Sequence, residues 1–314
     1  TIVINRMQDL QIEAPGQIAI PATLFSGVLR KLPANSQVIV SASEGKVKIQ
    51  AGRGRYQLPT LPADQLPMFE RPKADPVSIS TQAFNRALRM VRHSMSTEET
   101  RYYLNGVFLE IKDGELLAVS TDGHRLSVAK ICDVDFDQPD AILPRKPVNH
   151  LVKILAEFEG DIRVITENNK IDFQIGDLVV ASKLIDGTFP DYRRVIPSET
   201  PIEIVVCPRS LGQAIDRVSV VSHEKTKAIV FDAADASIKL EMNSPDMGTA
   251  SEEVSAQISA PIRAGYNSRY LKEILDCYAE CDTVRISLKG PSDPAIISPP
   301  GNGSDRAIIM PMRI

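Results

Sequence analysis

The chain lacks several features that mark common classes of protein. No apolar run among its 314 residues approaches the ~18 residues of a transmembrane helix, so the sequence predicts no membrane partner. The four cysteines show no disulfide framework, which favours a cytoplasmic location. A formal net charge of −4 gives no sign of a nucleic-acid partner. Any such binding would therefore require basic residues gathered on one face.

Catalytic and metal-binding patterns are also scarce. The chain has four histidines and no Gly-x-Ser-x-Gly, P-loop or His-Glu-x-x-His motif. Cys277 and Cys281 lie one helical turn apart, but no second Cys/His pair has the spacing of metal ligands. Asp122 and His124 could form an acid–base pair for hydrolysis, although a tight turn between two strands is the interpretation we favour. The sequence predicts no catalytic residue, no metal and no cofactor.

What the chain does contain is a repeat of one helix followed by a β-hairpin. The helix recurs about every 120 residues, at 21–32, 147–155 and 267–275. A related helix precedes two of these three, at 81–95 and 210–222. With the two halves named A and B, the order along the chain is B, A-B, A-B. Because the array opens on a half-unit, we expect roughly 50 further residues before Thr1.

The segments between the helices alternate apolar and polar residues with a period of two, as at 107–111 and 171–175. Turn residues separate them, at 113–114 and 168–169 among others. Antiparallel hairpins that carry isolated helices predict an α+β fold. Proline-rich segments at 71–76 and 196–201 predict domain boundaries. The expected domains are a partial first one at 1–72, a second at 73–197 and a third at 198–314.

The predicted helices are amphipathic, with basic residues opposite an apolar stripe. The apolar stripes contain Phe25, Val28, Leu29 and Leu32 in the first helix, Phe84, Ala87, Leu88 and Val91 in the second, and Val148, Leu151, Val152 and Leu155 in the third. Ordinary solvated helix faces would explain each helix by itself. Because equivalent helices of a repeat face the same way, their basic faces would instead merge into one positive surface.

Several longer motifs resemble those of bacterial sliding clamps, the β subunits of DNA polymerase III. They are RYYLNG at 101–106, TDGHRL at 121–126, LPRK at 143–146, the stretch 182–195, SHEK at 222–225 and MPMRI at 310–314. The resemblance covers the whole chain, with the motifs in family order. It implies a DNA-clamp fold of three tandem domains, the first one partial, forming half of a ring. A homodimer would encircle duplex DNA independently of sequence and act as a processivity factor without catalysis.

The same resemblance implies one peptide pocket per subunit, between the second and third domains. Its partners would be the polymerase III α subunit, the clamp-loader δ subunit, translesion polymerases and repair factors, each through a short linear motif. The matching positions are Arg101, Leu104, Thr121, Gly123, His124, Leu126, Pro190, Arg194, Val195, Asn267, Tyr270, Ile308, Met310 and Met312. Without the resemblance, the C-terminal Met-Pro-Met would be interpreted as an edge strand ending in the core.

The DNA-facing and dimer positions follow from the helix faces and the resemblance together. The expected DNA-facing residues are Arg30, Arg86, Arg89, Tyr102, Tyr103, Lys153 and Lys272. At the dimer interface, Tyr56 and Leu58 of one subunit would meet Val220 and Val221 of the next, although core packing would equally explain Val221. Two other functions stay open at this point. One is a hydrolase centred on Asp122 and His124, and the other is a clamp-like protein that binds partners without closing a ring.

Overall fold

A computed structural model describes residues 2–6, 10–43, 45–63, 70–135, 140–222, 227–301 and 303–314. These residues contain five α-helices. The helices are α1 Ala22–Leu29, α2 Thr81–Val91, α3 Arg145–Leu155, α4 Pro208–Val218 and α5 Ser268–Cys277. No helix among the described residues combines the length and the apolar character needed to cross a membrane.

Twenty β-strands accompany the helices in the described part of the chain. They are β1 Ile2–Arg6, β2 Val38–Ser43, β3 Lys46–Ala51, β4 Gly54–Pro59, β5 Val77–Ser80, β6 Gly106–Lys112, β7 Glu115–Thr121, β8 Arg125–Asp133, β9 Ala141–Pro144, β10 Asp161–Glu167, β11 Lys170–Ile175, β12 Leu178–Lys183, β13 Ile202–Val206, β14 Ala228–Ala234, β15 Ser237–Ser244, β16 Gly248–Ile258, β17 Ile262–Asn267, β18 Val284–Leu288, β19 Ala295–Ser298 and β20 Arg306–Ile309.

The strands form antiparallel sheets, which confirms the predicted α+β class. One sheet has the order β1-β12-β11-β10-β5, a second has the order β2-β3-β4, and the longest runs β17-β14-β15-β16-β13-β18-β19-β20-β8-β7-β6-β9. All four residues of Asp113-Gly114 and Asn168-Asn169 have positive φ, as in type I′ hairpin turns, and both pairs lie where the sequence predicts turns between strands. Glu44, residues 66–68 and residues 223–225 of the SHEK motif lie outside the described residues.

The chain divides into two compact units, one of residues 1–6 with 71–314 and one of residues 7–70. The smaller unit contains α1 and the three-stranded sheet. Its buried apolar residues are Ala19, Val47 and Ile49, and no residue of α1 is buried. The predicted stripe of α1 is therefore present but remains partly open to solvent, because the described residues of this unit contain no second α-helix to pack against it.

In the larger unit the helices pack in pairs, and their stripes are buried as predicted. The core of the second domain joins α2 and α3 through Phe84, Leu88 and Leu151. The core of the third domain joins α4 and α5 through Leu211 and Leu271. Burying such side chains contributes about 1.5–3 kcal/mol each, so these cores stabilise their domains strongly.

Helix boundaries differ slightly from the predicted ones. Helix α2 ends at Val91 and continues as a 3₁₀ turn, where the Ser94 hydroxyl meets that of Ser127 at 2.8 Å. Helix α4 begins at Pro208. Proline is favoured in the first helical turn because backbone N–H groups there make no hydrogen bond within the helix, so its lack of an N–H costs nothing. The proline-rich segments at 71–76 and 196–201 form neither helix nor strand, as predicted.

Two strand pairings were not predicted. Strand β1 pairs with β12, with Val3 opposite Ala181, and so extends a sheet of the second domain. Strand β20 pairs with β19 on one side and with β8 on the other. Because β8 belongs to the second domain and β19 to the third, β20 joins the two domains into one continuous sheet.

Candidate functional site

The C-terminal segment crosses the junction of the second and third domains. Ile308 in β20 lies opposite Leu126 in β8. Beyond the strand, the Met310 N–H donates to the His124 carbonyl at 2.9 Å, and the Met312 N–H donates to the Gly265 carbonyl at 2.8 Å. Backbone hydrogen bonds to both domains therefore fix the position of Met310 at the surface.

The turn at 121–125 is held by its own side chains. The Thr121 hydroxyl donates to the Arg125 carbonyl at 2.7 Å. The Asp122 carboxylate accepts from the backbone N–H groups of His124 at 2.9 Å and Arg125 at 3.0 Å. Gly123 has φ +88°, and a Cβ on it would lie 2.7 Å from a guanidinium nitrogen of Arg101. The structure thus shows the turn that we favoured, with Asp122 engaged by backbone donors.

Arg125 is the most heavily bonded side chain at the junction. Only 6% of it is exposed, and it pairs with Glu273 at 2.5 Å and with Asp122 at 3.1 Å. Its guanidinium also donates to the His93 carbonyl and lies 4.2 Å from the centre of the Tyr270 ring. Burial raises the pKa of Glu273, but hydrogen bonds from Arg269 and Arg125 outweigh that effect, so its pKa is lowered. Arg125 therefore ties the turn to α5.

Sequence reasoning missed Arg125 as a site residue although it lies inside the TDGHRL motif. A buried arginine has the same sequence signature as a surface arginine, so no local pattern distinguishes them. Its contacts also come from Glu273, which lies far along the chain. Only the pairing of the two domains brings those residues together.

Two predicted residues, His124 and Asn267, contact Tyr270, which was itself predicted. His124 stacks on it, with ring centres 6.3 Å apart and planes 22° from parallel. The Asn267 side-chain oxygen accepts the N–H groups of Arg269 and Tyr270 at 3.1 and 3.2 Å, which caps the N-terminus of α5. The Asn267 oxygen is thus occupied by the helix, which leaves its amide nitrogen as the group that can meet a ligand.

The predicted apolar walls divide into a buried layer and an exposed rim. Leu104, Leu126 and Ile308 belong to one buried cluster. Val195 and Met310 are 46% and 38% exposed. They border an open cleft of about 320 Å³ whose lining is Arg194, Val195, Ile196, Pro197, Ser198, Glu199, Lys289, Asp293, Pro294 and Met310. Exposed apolar groups at the edge of a cleft can contact a short apolar peptide.

Of the fourteen predicted pocket residues, Arg194, Val195 and Met310 line this cleft and the others do not. Arg101 pairs with Glu98 at 2.7 Å, which raises the pKa of its guanidinium. Arg194 is exposed and pairs with Asp191 at 2.9 Å. Pro190 is exposed, and neither it nor half-buried Met312 lines the cleft. Lys289 and Pro294 line the cleft but were not predicted.

A buried cluster at the same junction contains His93, Cys277 and Ser127. The His93 Nδ1 atom lies 3.5 Å from the Cys277 sulfur, and its Nε2 atom lies 3.3 Å from the Ser127 hydroxyl. Burial, assisted by Arg125, lowers the pKa of His93 to about 3. Burial raises the pKa of the Cys277 thiol to about 11. The described residues contain no group of three or more His, Cys, Asp or Glu side chains that could hold a metal.

The predicted DNA-facing residues differ in their local partners. Arg86 donates to Asp305 at 2.5 Å, and Lys272 pairs with Asp276 at 2.7 Å. Arg89 and Lys153 are exposed, with no ion pair to a described residue. Exposed Tyr102 packs edge-on against Tyr103, with ring centres 5.8 Å apart. Carboxylates thus offset part of the positive charge on α2 and α5. Arg30, in the smaller unit, is also exposed.

The predicted dimer residues are partly exposed. Tyr56 is exposed and Leu58 is half-buried, both on β4. Val220 is 76% exposed, whereas Val221 packs against the core of the third domain. Core packing thus contributes to the position of Val221, and Val220 is the more available of the two for a partner.

Family models match the chain along nearly its whole length. The model for the N-terminal domain of the DNA polymerase III beta subunit matches residues 1–70, that for the central domain matches 78–191, and that for the C-terminal domain matches 193–313. The beta sliding clamp of Pseudomonas putida is 31% identical over 317 residues, covering 99% of this chain and 86% of the relative. That of Vibrio cholerae is 33% identical over 302 residues, covering 95% and 82%.

Solved structures agree with these matches. The sliding clamp (DNA polymerase III subunit beta) from Bartonella birtlesii, bound to griselimycin, superposes with a TM-score of 0.94 at 34% identity and covers 100% of this chain and 86% of that one. A Pseudomonas aeruginosa sliding clamp with a ligand has a TM-score of 0.92 at 30% identity, covering 100% and 87%. The chain therefore belongs to the beta sliding clamps, the β subunits of DNA polymerase III.

Proposed function

We propose that this member of the sliding-clamp family encircles duplex DNA as a head-to-tail homodimer and tethers the replicative polymerase to it. A ring retains DNA by topology, so it needs only a diffuse positive lining, because tight phosphate contacts would stop it from sliding. Tethering then raises the effective concentration of the polymerase at the DNA. The cleft bordered by Val195 and Met310 is the observation that supports this function best.

The cleft is the proposed pocket for linear motifs of the polymerase III α subunit, the clamp-loader δ subunit, translesion polymerases and repair factors. Val195 and Met310 supply exposed apolar contacts. The flexible thioether of methionine suits a surface that accepts several partners. His124, Tyr270 and the Asn267 amide would orient the polar groups of the motif, together with Arg101, Arg194 and the other predicted residues.

The DNA and dimer surfaces complete the proposal. Arg30, Arg86, Arg89, Tyr102, Tyr103, Lys153 and Lys272 would face the duplex. Tyr56 and Leu58 would meet Val220 and Val221 of the other subunit, an apolar contact of the kind that dimers use. The domain bounds proposed with this assignment are 1–72, 73–197 and 198–314. Four free cysteines support the proposed cytoplasmic location.

We further propose that the chain has no catalysis of its own. The Asp122 carboxylate is occupied by two backbone N–H groups and by Arg125, so it is not free to orient an imidazole. A neutral imidazole beside a protonated thiol, as at His93 and Cys277, is no activated nucleophile.

A peptide titration tests the pocket. A labelled peptide with a glutamine and a Leu-Phe tail should bind with micromolar affinity, because burying two such side chains contributes about 3–6 kcal/mol before ordering costs. The double variant Val195→Ala, Met310→Ala should bind at least about tenfold more weakly by fluorescence anisotropy. Met247→Ala, which removes another exposed methionine, is the matched control. Equal affinity for the wild type and the double variant would contradict the assignment.

A further inference from the structure

A second cleft adjoins the proposed peptide pocket. It has a volume of about 340 Å³ and shares Ile196, Pro197 and Ser198 with the first cleft. The rest of its lining is Lys112, Asp113, Glu115, Leu117, Tyr192, Arg193, Ser304 and Arg306. The segment 196–198 thus forms part of the wall of both clefts, so the two clefts are adjacent.

Two of the five charged residues that line this second cleft, Glu115 and Arg193, have ion-pair partners. Arg193 donates to Glu110 at 2.6 Å, and the Tyr192 hydroxyl donates to the same carboxylate. Glu115 accepts from Lys130 at 2.8 Å and from Ser304 at 2.7 Å. These pairs fix part of the walls and offset the charges of Arg193 and Glu115.

Arg306, like the exposed Lys112 and Asp113, has no ion pair with a described residue. It is a half-buried residue of β20, and its Nε atom is buried without a hydrogen-bond partner. No described residue forms an ion pair or a side-chain hydrogen bond with its guanidinium. A buried donor without a partner is costly, and arginine presents a planar fork of N–H groups that matches a carboxylate. The cleft therefore contains a half-buried positive group without a partner on a rigid strand, besides the exposed Lys112.

We propose that this cleft holds a carboxylate of the partner peptide whose apolar residues occupy the neighbouring pocket, with Arg306 as the residue that binds it. The inference rests on the proposed function, since it assigns the acidic flank of the same motif. Asp113 and Glu115 also line the cleft and outnumber Lys112, so they would disfavour a polyanion such as DNA more than a single carboxylate. Arg306 would thus determine which motif-bearing partners bind most tightly.

Two peptide series test this. Both carry the apolar motif followed by a flexible spacer. One series ends in a glutamate and the other in a glutamine. The spacer is lengthened step by step, and each added residue extends it by at most about 3.3 Å. At one spacer length the glutamate peptide should bind the wild type about tenfold more tightly than its glutamine twin, and added salt should reduce the difference. Arg306→Gln should abolish the difference and leave the affinity of the glutamine peptide unchanged. Arg209→Gln, which removes the same charge from exposed α4, should preserve it.

A charge-reversal variant distinguishes loss of the proposed contact from misfolding. Arg306→Glu should bind a lysine-flanked peptide more tightly than a glutamate-flanked one, a reversal that a merely damaged fold cannot produce. If wild type binds the glutamine peptide but shows no preference at any spacer length, this inference is wrong while the pocket stands. If no peptide binds at all, the proposed function itself fails. Weaker DNA retention by Arg306→Gln, with the peptide preference intact, would also overturn the inference.

Discussion

Helices α1 and α3 show the same sequence pattern with opposite outcomes. Both carry an apolar stripe with a basic residue behind it, at equivalent places of the repeat. Leu151 of α3 is 0% exposed, because α2 and the sheets of the second domain close over it. Leu29 of α1 is 36% exposed, and no residue of that helix is buried. An amphipathic stripe therefore predicts which side of a helix can be buried, but a partner element decides whether it is.

The same contrast separates the cores. The second and third domains each bury a large apolar cluster between paired helices and sheets. The unit of residues 7–70 buries only Ala19, Val47 and Ile49 among its described apolar residues. Since stability follows the apolar area removed from water, the smaller unit should be the less stable of the two.

The largest expected effect comes from truncating equivalent leucines. Leu151→Ala should destabilise the second domain by about 2–5 kcal/mol, because it removes buried contacts and leaves a cavity. Leu29→Ala should change the stability of the smaller unit by less than about 0.5 kcal/mol. Urea unfolding followed by hydrogen exchange of peptides from each domain would measure both. Equal losses would show that α1 is buried as deeply as α3 and would break the comparison.

A smaller effect is expected from pH at the junction of the second and third domains. Burial lowers the pKa of His93 to about 3, below its ordinary value of 6.5. Between these values the unfolded chain binds a proton that the folded chain does not. The free energy of unfolding therefore has its full value above pH 6.5 as far as His93 is concerned. It decreases as the pH falls, by about 1–2 kcal/mol at pH 5.

The variant His93→Gln should flatten this pH dependence, whereas His150→Gln on α3 serves as its matched control. Urea midpoints of the second and third domains at pH 7 and pH 5 would measure the slope for each protein. An unchanged slope in His93→Gln would assign the acid sensitivity to another group.

The smallest expected effect on folding concerns Val220. Because its side chain is already in solvent, Val220→Asp should leave the stability of the third domain within about 0.5 kcal/mol of wild type. It should nevertheless weaken the proposed dimer, since an unpaired carboxylate would be buried there. Sedimentation equilibrium of both proteins at one concentration checks this. Val221→Asp would be harder to interpret, because Val221 also packs against the domain core.

Local chemistry made much of the fold predictable. The period-3.6 stripes identified the buried faces of α2 and α3, and the Asp113-Gly114 turn was foreseen from its residues. The pairings of β1 with β12 and of β20 with β8 could not be foreseen, because backbone hydrogen bonds between distant strands leave no mark on side-chain pattern.

The candidate site was also predictable only in part. The resemblance identified Val195 and Met310, whose exposure at one cleft is consistent with the assignment. It did not single out Arg125 or Arg306, since a charged residue in a strand is normally solvated. Arg125 acquires its partners only where the second and third domains join. Arg306 is notable because it lacks a partner there.

The central claim is that the protein holds DNA by enclosing it. The most direct measurement loads the protein onto a nicked circular plasmid, removes free protein and then follows release before and after linearisation. Topological retention predicts slow loss from the circle and rapid loss once the DNA has ends, with only weak dependence on salt for the circle. Equal retention on circular and linear DNA, with loss that follows salt in both, would contradict the account.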